Sequence, residues 1–144
     1  MNDLLKDLYQ EIILDHGQEP RNFGECENHN KSAKGHNPLC GDKVSVTLLV
    51  DQDDMIKDIK FSGEGCAISI ASASLMTEKL KNKSLNEAEK IFNDFTNLVK
   101  GKTEGLNQLT ENDSLYALKG VEALPMRVKC ATMAWHTYKS AVNE

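Results

Sequence analysis

The amino-acid sequence predicts an α+β fold: a small antiparallel sheet of about three strands packed with helices. Three observations predict it. The chain has 144 residues, one domain's worth of polypeptide, so 1–144 reads as a single unit. Val44, Val46, Leu48 and Val50 alternate with Ser45, Thr47 and Leu49, and a second extended run follows an acidic turn, which is the pattern of a hairpin. Around that hairpin, apolar residues recur at three- and four-residue spacing, the period of helices with one buried face.

The first helix is placed at 3–16, where Leu4, Leu5, Leu8, Ile12 and Ile13 lie at helical spacing among charged and amide residues; Gly17 and Pro20 end it. Residues 17–42 are rich in Gly, Pro, Asn and charge and read as a long irregular segment, of the kind that tends to be functional or mobile. The first strand covers 44–50, Asp51-Gln52-Asp53-Asp54 makes the turn, and the second strand covers 55–61 with Ile59 and Phe61 on one face. No glutamate or glycine completes an EF-hand loop there, so the turn reads as solvated. Ser62-Gly63-Glu64-Gly65 breaks the strand, and Cys66 opens a helix running to about Leu80. Its small residues, Ala67 to Ser74 among them, suit close approach of neighbouring elements. Ser84 and Glu87 form a capping box for the next helix, in which Leu85, Ala88, Phe92, Phe95 and Val99 step by three and four. Residues 100–119 turn polar with scattered leucines and read as a loop with a short helical piece. Pro125 opens the last helix, with the stripe Val128, Ala131, Trp135, Tyr138 and Val142.

Composition narrows the function. Seventeen basic against 22 acidic residues leave a net charge of −5, which offers no bulk attraction to nucleic acid or to an anionic membrane surface. No stretch approaches the ~18 consecutive apolar residues of a membrane helix. The first residues, MNDLLKDLYQ, lack the basic and apolar regions of a signal peptide. The expectation is a cytoplasmic protein whose four cysteines, Cys26, Cys40, Cys66 and Cys130, stay reduced and serve core filling, metal binding or sulfur chemistry.

Three of these cysteines and one aspartate stand at suggestive places. Cys40-Gly41-Asp42 precedes the first strand, and Gly41 lets the two flanking side chains converge on one point. Cys66 sits at a helix start, where the thiolate is favoured over the thiol. Cys130 lies in the first turn or two of the last helix, three residues after Arg127. Together the four groups make a tetrahedral S₃O set, which suits zinc. With Zn²⁺ the set sums formally to −2, and Arg127 and Lys129 are close enough in sequence to Cys130 to offset it. The interval from Cys66 to Cys130 resembles no zinc finger or ribbon, and buried core cysteines with a turn aspartate remain the competing reading.

Other polar residues have plainer readings. Cys26, His29 and His36 form a Cys-x₂-His-x₆-His arrangement in a polar segment; incidental surface residues are expected rather than a second metal cluster. His16 serves the dipole at the end of the first helix, and His136 faces solvent on the last. Arg21 either docks a partner or makes a loop salt bridge. Arg127, one turn before Cys130, either tunes a thiol or neutralises charge.

These residues carry a resemblance to the U-type iron–sulfur assembly proteins, the group containing IscU, the NifU N-terminal domain and SufU. The matching stretches are Leu8-Tyr9 through Asp15-His16, Pro20-Arg21-Asn22, Asn37-Pro38-x-Cys40-Gly41-Asp42, Phe61-x-Gly63-x-Gly65-Cys66-x-Ile68-Ser69-x-Ala71-Ser72-Ala73-Ser74, and Arg127-x-Lys129-Cys130-Ala131-Thr132-x-x-Trp135. IscU-like proteins carry a histidine where Lys129 stands here, and their interval between the second and third cysteines is shorter. Both departures are similar to the SufU branch. That resemblance implies a zinc-dependent sulfurtransferase partnering a SufS-type cysteine desulfurase and supplying downstream iron–sulfur assembly proteins. The implied metal ligands are Cys40, Asp42, Cys66 and Cys130, at one exposed end of the fold, with Cys40 as the sulfur acceptor and Arg127 beside the site. The rivals are a scaffold for a [2Fe–2S] cluster, against which a lysine ammonium at position 129 argues as a poor cluster ligand, and a non-catalytic zinc-stabilised module that only binds partners.

Overall fold

The computed structural model describes residues 3–38, 41–106, 108–110 and 112–143, with side chains from position 9 onward. The elements run α1 (Asp3–Gln18), β1 (Lys31–Asn37), β2 (Asp42–Val50), β3 (Ile56–Glu64), α2 (Ala67–Leu80), α3 (Leu85–Val99), a 3₁₀ segment (Ser114–Ala123) and α4 (Pro125–Val142). The α+β architecture is the expected one: the strands form a three-stranded antiparallel sheet in the order β1-β2-β3.

β2 takes the centre because it carries the strongest alternation. Val44, Val46 and Leu48 are buried, and in register Val46 lies opposite Ala33 of β1 and Phe61 of β3, while Leu48 lies opposite Ile59. Helix α4 covers β1 and β2, and α2 packs against β3, α4 and α1. Trp135 and Tyr138 of α4, Phe95 of α3 and Phe61 of β3 are fully buried, and the Phe95 and Trp135 rings stack with centroids 4.4 Å apart. Each such side chain contributes about 1.5–3 kcal/mol by leaving water, so this seam fixes α4 to the rest of the fold.

The small residues of α2 do allow close approach, and the buried Ser72, Ser74 and Thr77 hydroxyls each have a named bond. Ser72 donates to the Ala131 carbonyl and accepts from the Trp135 indole at 3.1 Å, tying α2 to α4. Ser74 meets the His16 ring at 2.7 Å and accepts the Arg21 N–H. Thr77 donates to the Ser74 carbonyl and accepts from Asn22 at 3.0 Å. The Pro-Arg-Asn stretch is therefore a strap that ties the end of α1 to α2. His16 is accordingly no open dipole partner: it is buried against Ser74, with Glu78 3.6 Å from its other nitrogen, because α1 packs along α2. Arg21 makes the loop salt bridge, 2.6 Å from Asp15.

The structure departs from the sequence reading in three further places. The expected irregular segment 17–42 contains the edge strand β1. Its Lys-Ser-Ala-Lys-Gly-His-Asn sequence has no apolar alternation, because Gly35 must be small: a Cβ there would collide with the Thr137 hydroxyl of α4. β3 continues to Glu64 instead of breaking at Ser62; Gly63, at φ +144°, is where the Lys43 carbonyl of β2 comes too close for a side chain. Helix α1 runs through Gly17 to Gln18. The short helical piece expected in the polar stretch after α3 is present as a 3₁₀ segment that runs on to Ala123, and its Leu115, Leu118 and Val121 are core residues. Among the described residues, no helix is long and apolar enough to cross a membrane.

Candidate metal centre

Asp42 opens β2 and is fully buried. Its carboxylate is aimed by the chain itself: Oδ1 accepts the Cys66 N–H at 2.9 Å, and Oδ2 lies 4.0 Å from the Cys66 thiol. Cys66 is the N-cap of α2 and its side chain makes no capping bond, so the thiol is left facing the carboxylate at a helix N-terminus, which favours negative charge. Cys130 reaches the same point from the second turn of α4 and is fully buried. Among the described residues, Asp42, Cys66 and Cys130 form the convergent ligand group, with donor atoms all within 4.8 Å of one another. The three could hold a metal ion.

Arg127, one turn before Cys130, brings its exposed guanidinium to this point. A hydrogen bond to Cys130, followed by the charge of Cys66 and of Cys130, raises its pKa above the ordinary arginine value. A fixed positive charge thus stands beside the thiols. Lys129, by contrast, is exposed and lines a neighbouring cleft. Cys40 lies outside the described residues. The adjoining Gly41 has φ +72° with open space around it, so glycine is required there by backbone conformation alone.

One contributor was read from sequence only as a strand break. A Cβ on Gly65 would collide with the Asp42 carboxylate, so this glycine makes the space in which the aspartate sits beside Cys66. The sequence signal was present: a Gly-x-Gly immediately before a cysteine at a helix start.

Cys26 is the clearest correction. Expected at the surface, it is 1% exposed, with its N–H donated to Thr47 at 2.9 Å and its thiol to Asp58 at 3.5 Å. Burial first, then the Asp58 charge, pushes its pKa up to about 11, so it is a neutral core thiol. Among the described residues it does not gather with His29 and His36: the His29 ring bonds the Cys26 carbonyl at 2.9 Å, and His36 is exposed. His136 is exposed as expected and packs edge-on against Phe92.

Comparison with known proteins agrees with this geometry. Residues 8–96 match the family described as NifU-like N terminal domain. The chain is 38% identical over 141 residues to the zinc-dependent sulfurtransferase SufU of Bacillus subtilis, covering 98% of this chain and 93% of that protein. It is 36% identical over 139 residues to the iron–sulfur cluster assembly scaffold protein IscU of Streptococcus pyogenes, covering 96% and 85%. Among solved structures, the protein FiSufU of Fervidobacterium islandicum, assigned as an iron–sulfur cluster assembly scaffold for the SUF system, superposes with a TM-score of 0.83 at 35% identity, over 92% of this chain and 94% of that one. The fold, the converging thiols and the near full-length similarity lead to one conclusion: the chain belongs to the NifU-like N-terminal domain family, alongside SufU and IscU.

Proposed function

We propose that this chain is a zinc-dependent sulfurtransferase of iron–sulfur cluster biogenesis, acting in the cytoplasm and accepting sulfur on Cys40 from a SufS-type cysteine desulfurase, for passage to downstream assembly proteins. The observation that carries the reading is the convergence of Asp42, Cys66 and Cys130 within 4.8 Å, beside Arg127. Two thiols and one carboxylate suit zinc at distances of about 2.0–2.3 Å in a tetrahedral site, with a fourth position left for Cys40. When bound, zinc keeps thiol ligands deprotonated and has no redox chemistry of its own.

The chain's residues divide the work. Cys66 and Cys130 are carried by helices that the core locks in place, and Asp42 is held by the Cys66 N–H. Arg127 offsets the negative charge of the donor set. Cys40 adjoins Gly41 in the sequence, whereas Cys66 and Cys130 are held at helices, so Cys40 is the ligand this reading releases. Its thiolate attacks the outer sulfur of the desulfurase persulfide. The Cys40 Sγ–S bond forms, the desulfurase S–S bond breaks, and the desulfurase cysteine leaves as thiolate. A partner imidazole, a good zinc ligand, suits the vacated position.

The scaffold reading uses the same donors. It is disfavoured by Lys129, an ammonium lining the adjacent cleft where IscU-like proteins carry an imidazole. Metal analysis of protein purified without added iron separates the two. The sulfurtransferase reading expects a colourless protein with about one zinc per chain, as one tetrahedral site requires; a brown chromophore with little zinc would overturn it. Cys40→Ser that kept desulfurase stimulation would point instead to a zinc-stabilised binding module.

A further inference from the structure

The cleft beside the metal centre has a character unlike the rest of this acidic chain. It has a volume of 460 Å³ and runs between β1 and one face of α4. Of its ten described lining residues, Lys34, His36, Lys129 and His136 are basic and none is acidic, although the chain as a whole carries 22 acidic residues against 17 basic. Among the described residues, neither Lys34 nor Lys129 has an acidic partner, whereas Lys57, Lys79, Lys81, Lys119 and Lys139 each have one. The charges of Lys100 and Lys139 also reach His136. Gly35 contributes no side chain to the floor, where α4 approaches too closely for a Cβ.

The shape selects the ligand class. The α4 wall runs from Lys129 to Ser140, eleven residues or about 16 Å of helix. Lys129 and His136 are two turns apart, about 10 Å, so no single phosphate or carboxylate touches both. An extended chain advances about 3.3 Å per residue, and some five residues span the wall. We propose that the groove between β1 and α4 is the docking site for an extended acidic segment of a protein partner. The groove ends at the metal centre, since Lys129 precedes Cys130 and Asn37 pairs with Asp42. A segment lying in it brings its partner to that centre, whether the centre accepts sulfur or holds a cluster.

The test uses the zinc-loaded full chain and a fluorescein-labelled hexapeptide of alternating glutamate and glycine, with a glutamine-for-glutamate peptide as control. The acidic peptide should bind by fluorescence anisotropy, weaken as salt is raised, and shift backbone amide resonances of 34–37 and 129–140; the glutamine peptide should not bind. Lys34→Glu and Ser140→Glu, both at exposed positions, should each weaken binding about fivefold or more, as expected for reversing or adding one exposed charge. Among the described residues the Ser140 side chain makes no hydrogen bond or ion pair, so Ser140→Glu stands in if Lys34→Glu fails to fold. Lys90→Glu, exposed on α3, should bind like the parent. Equal binding of both peptides, shifts confined to other surfaces, or no effect of either groove variant would overturn the proposal. Displacement of the peptide by an equimolar amount of inorganic phosphate would also overturn it, leaving a small-anion site.

Discussion

Cys26 and Cys130 are buried to the same degree, 1% and 0% exposed, and what separates them is the charge beside each. Cys26 lies against the Asp58 carboxylate of β3, and burial with that anion pushes its pKa to about 11. Cys130 lies under the Arg127 guanidinium, with Cys66 and Asp42 within reach. A thiol that is desolvated beside an anion stays protonated and inert; a thiol beside a cation and other donors is where negative charge can be held. Burial pushes a thiol towards its neutral form, and the charge set around it adds to that or offsets it.

If that contrast is right, chelation acts through one cysteine environment and not the other. Removing the metal should lower the melting temperature by on the order of 10 °C, since chain segments far apart in sequence converge on one ion. Cys26→Ala should show the same chelator-induced drop as the parent in calorimetry; Cys130→Ala should show none. Gly65→Ala comes next. Its Cβ displaces the Asp42 carboxylate, so zinc affinity measured by competition with a chromophoric chelator should fall about 100-fold. Arg127→Gln removes the cation that distinguishes Cys130 from Cys26, and the same assay should show a loss of about tenfold, partly restored by Arg127→Lys.

The smallest expected effect concerns His16, which burial, with the Arg21 charge, holds below its ordinary pKa of 6.5. Like Cys26, it is a group kept neutral by its surroundings. The folded ring binds fewer protons than the unfolded one, so its contribution to stability is complete above pH 6.5 and is lost as pH falls below that value. His136 is shifted in the same direction. The comparison that isolates His16 is therefore parent against His16→Gln: the variant's melting temperature should fall less steeply between neutral and mildly acid pH.

The same contrast shows what the sequence could and could not tell. Alternation made β2 visible, and the Ser84–Glu87 capping box is seen in the structure as a 3.1 Å bond from the Glu87 N–H to Ser84. These signals are local. β1 escaped notice because its role is to be small under α4, with Gly35 against Thr137, and smallness carries no period. The helical piece after α3 is legible without its bounds, because Leu115 and Leu118 lie three apart in a stretch too short to establish a helical stripe. At the centre, Arg127 and Cys130 were readable because they lie one turn apart, whereas Asp42, Cys66 and Cys130 are brought together only by the sheet and two helices. Asp58, whose charge adds to the effect of burial on Cys26, is 32 residues away from it, and no pattern in the chain announces that contact.

The central claim is that sulfur arrives on Cys40 and on no other cysteine. Incubated with its cysteine desulfurase and free cysteine, then mapped by peptide mass spectrometry, the zinc-loaded chain should carry one added sulfur on the peptide containing Cys40, with Cys26, Cys66 and Cys130 unmodified. Sulfur found on Cys26 or Cys66, with Cys40 unmodified, would contradict the account.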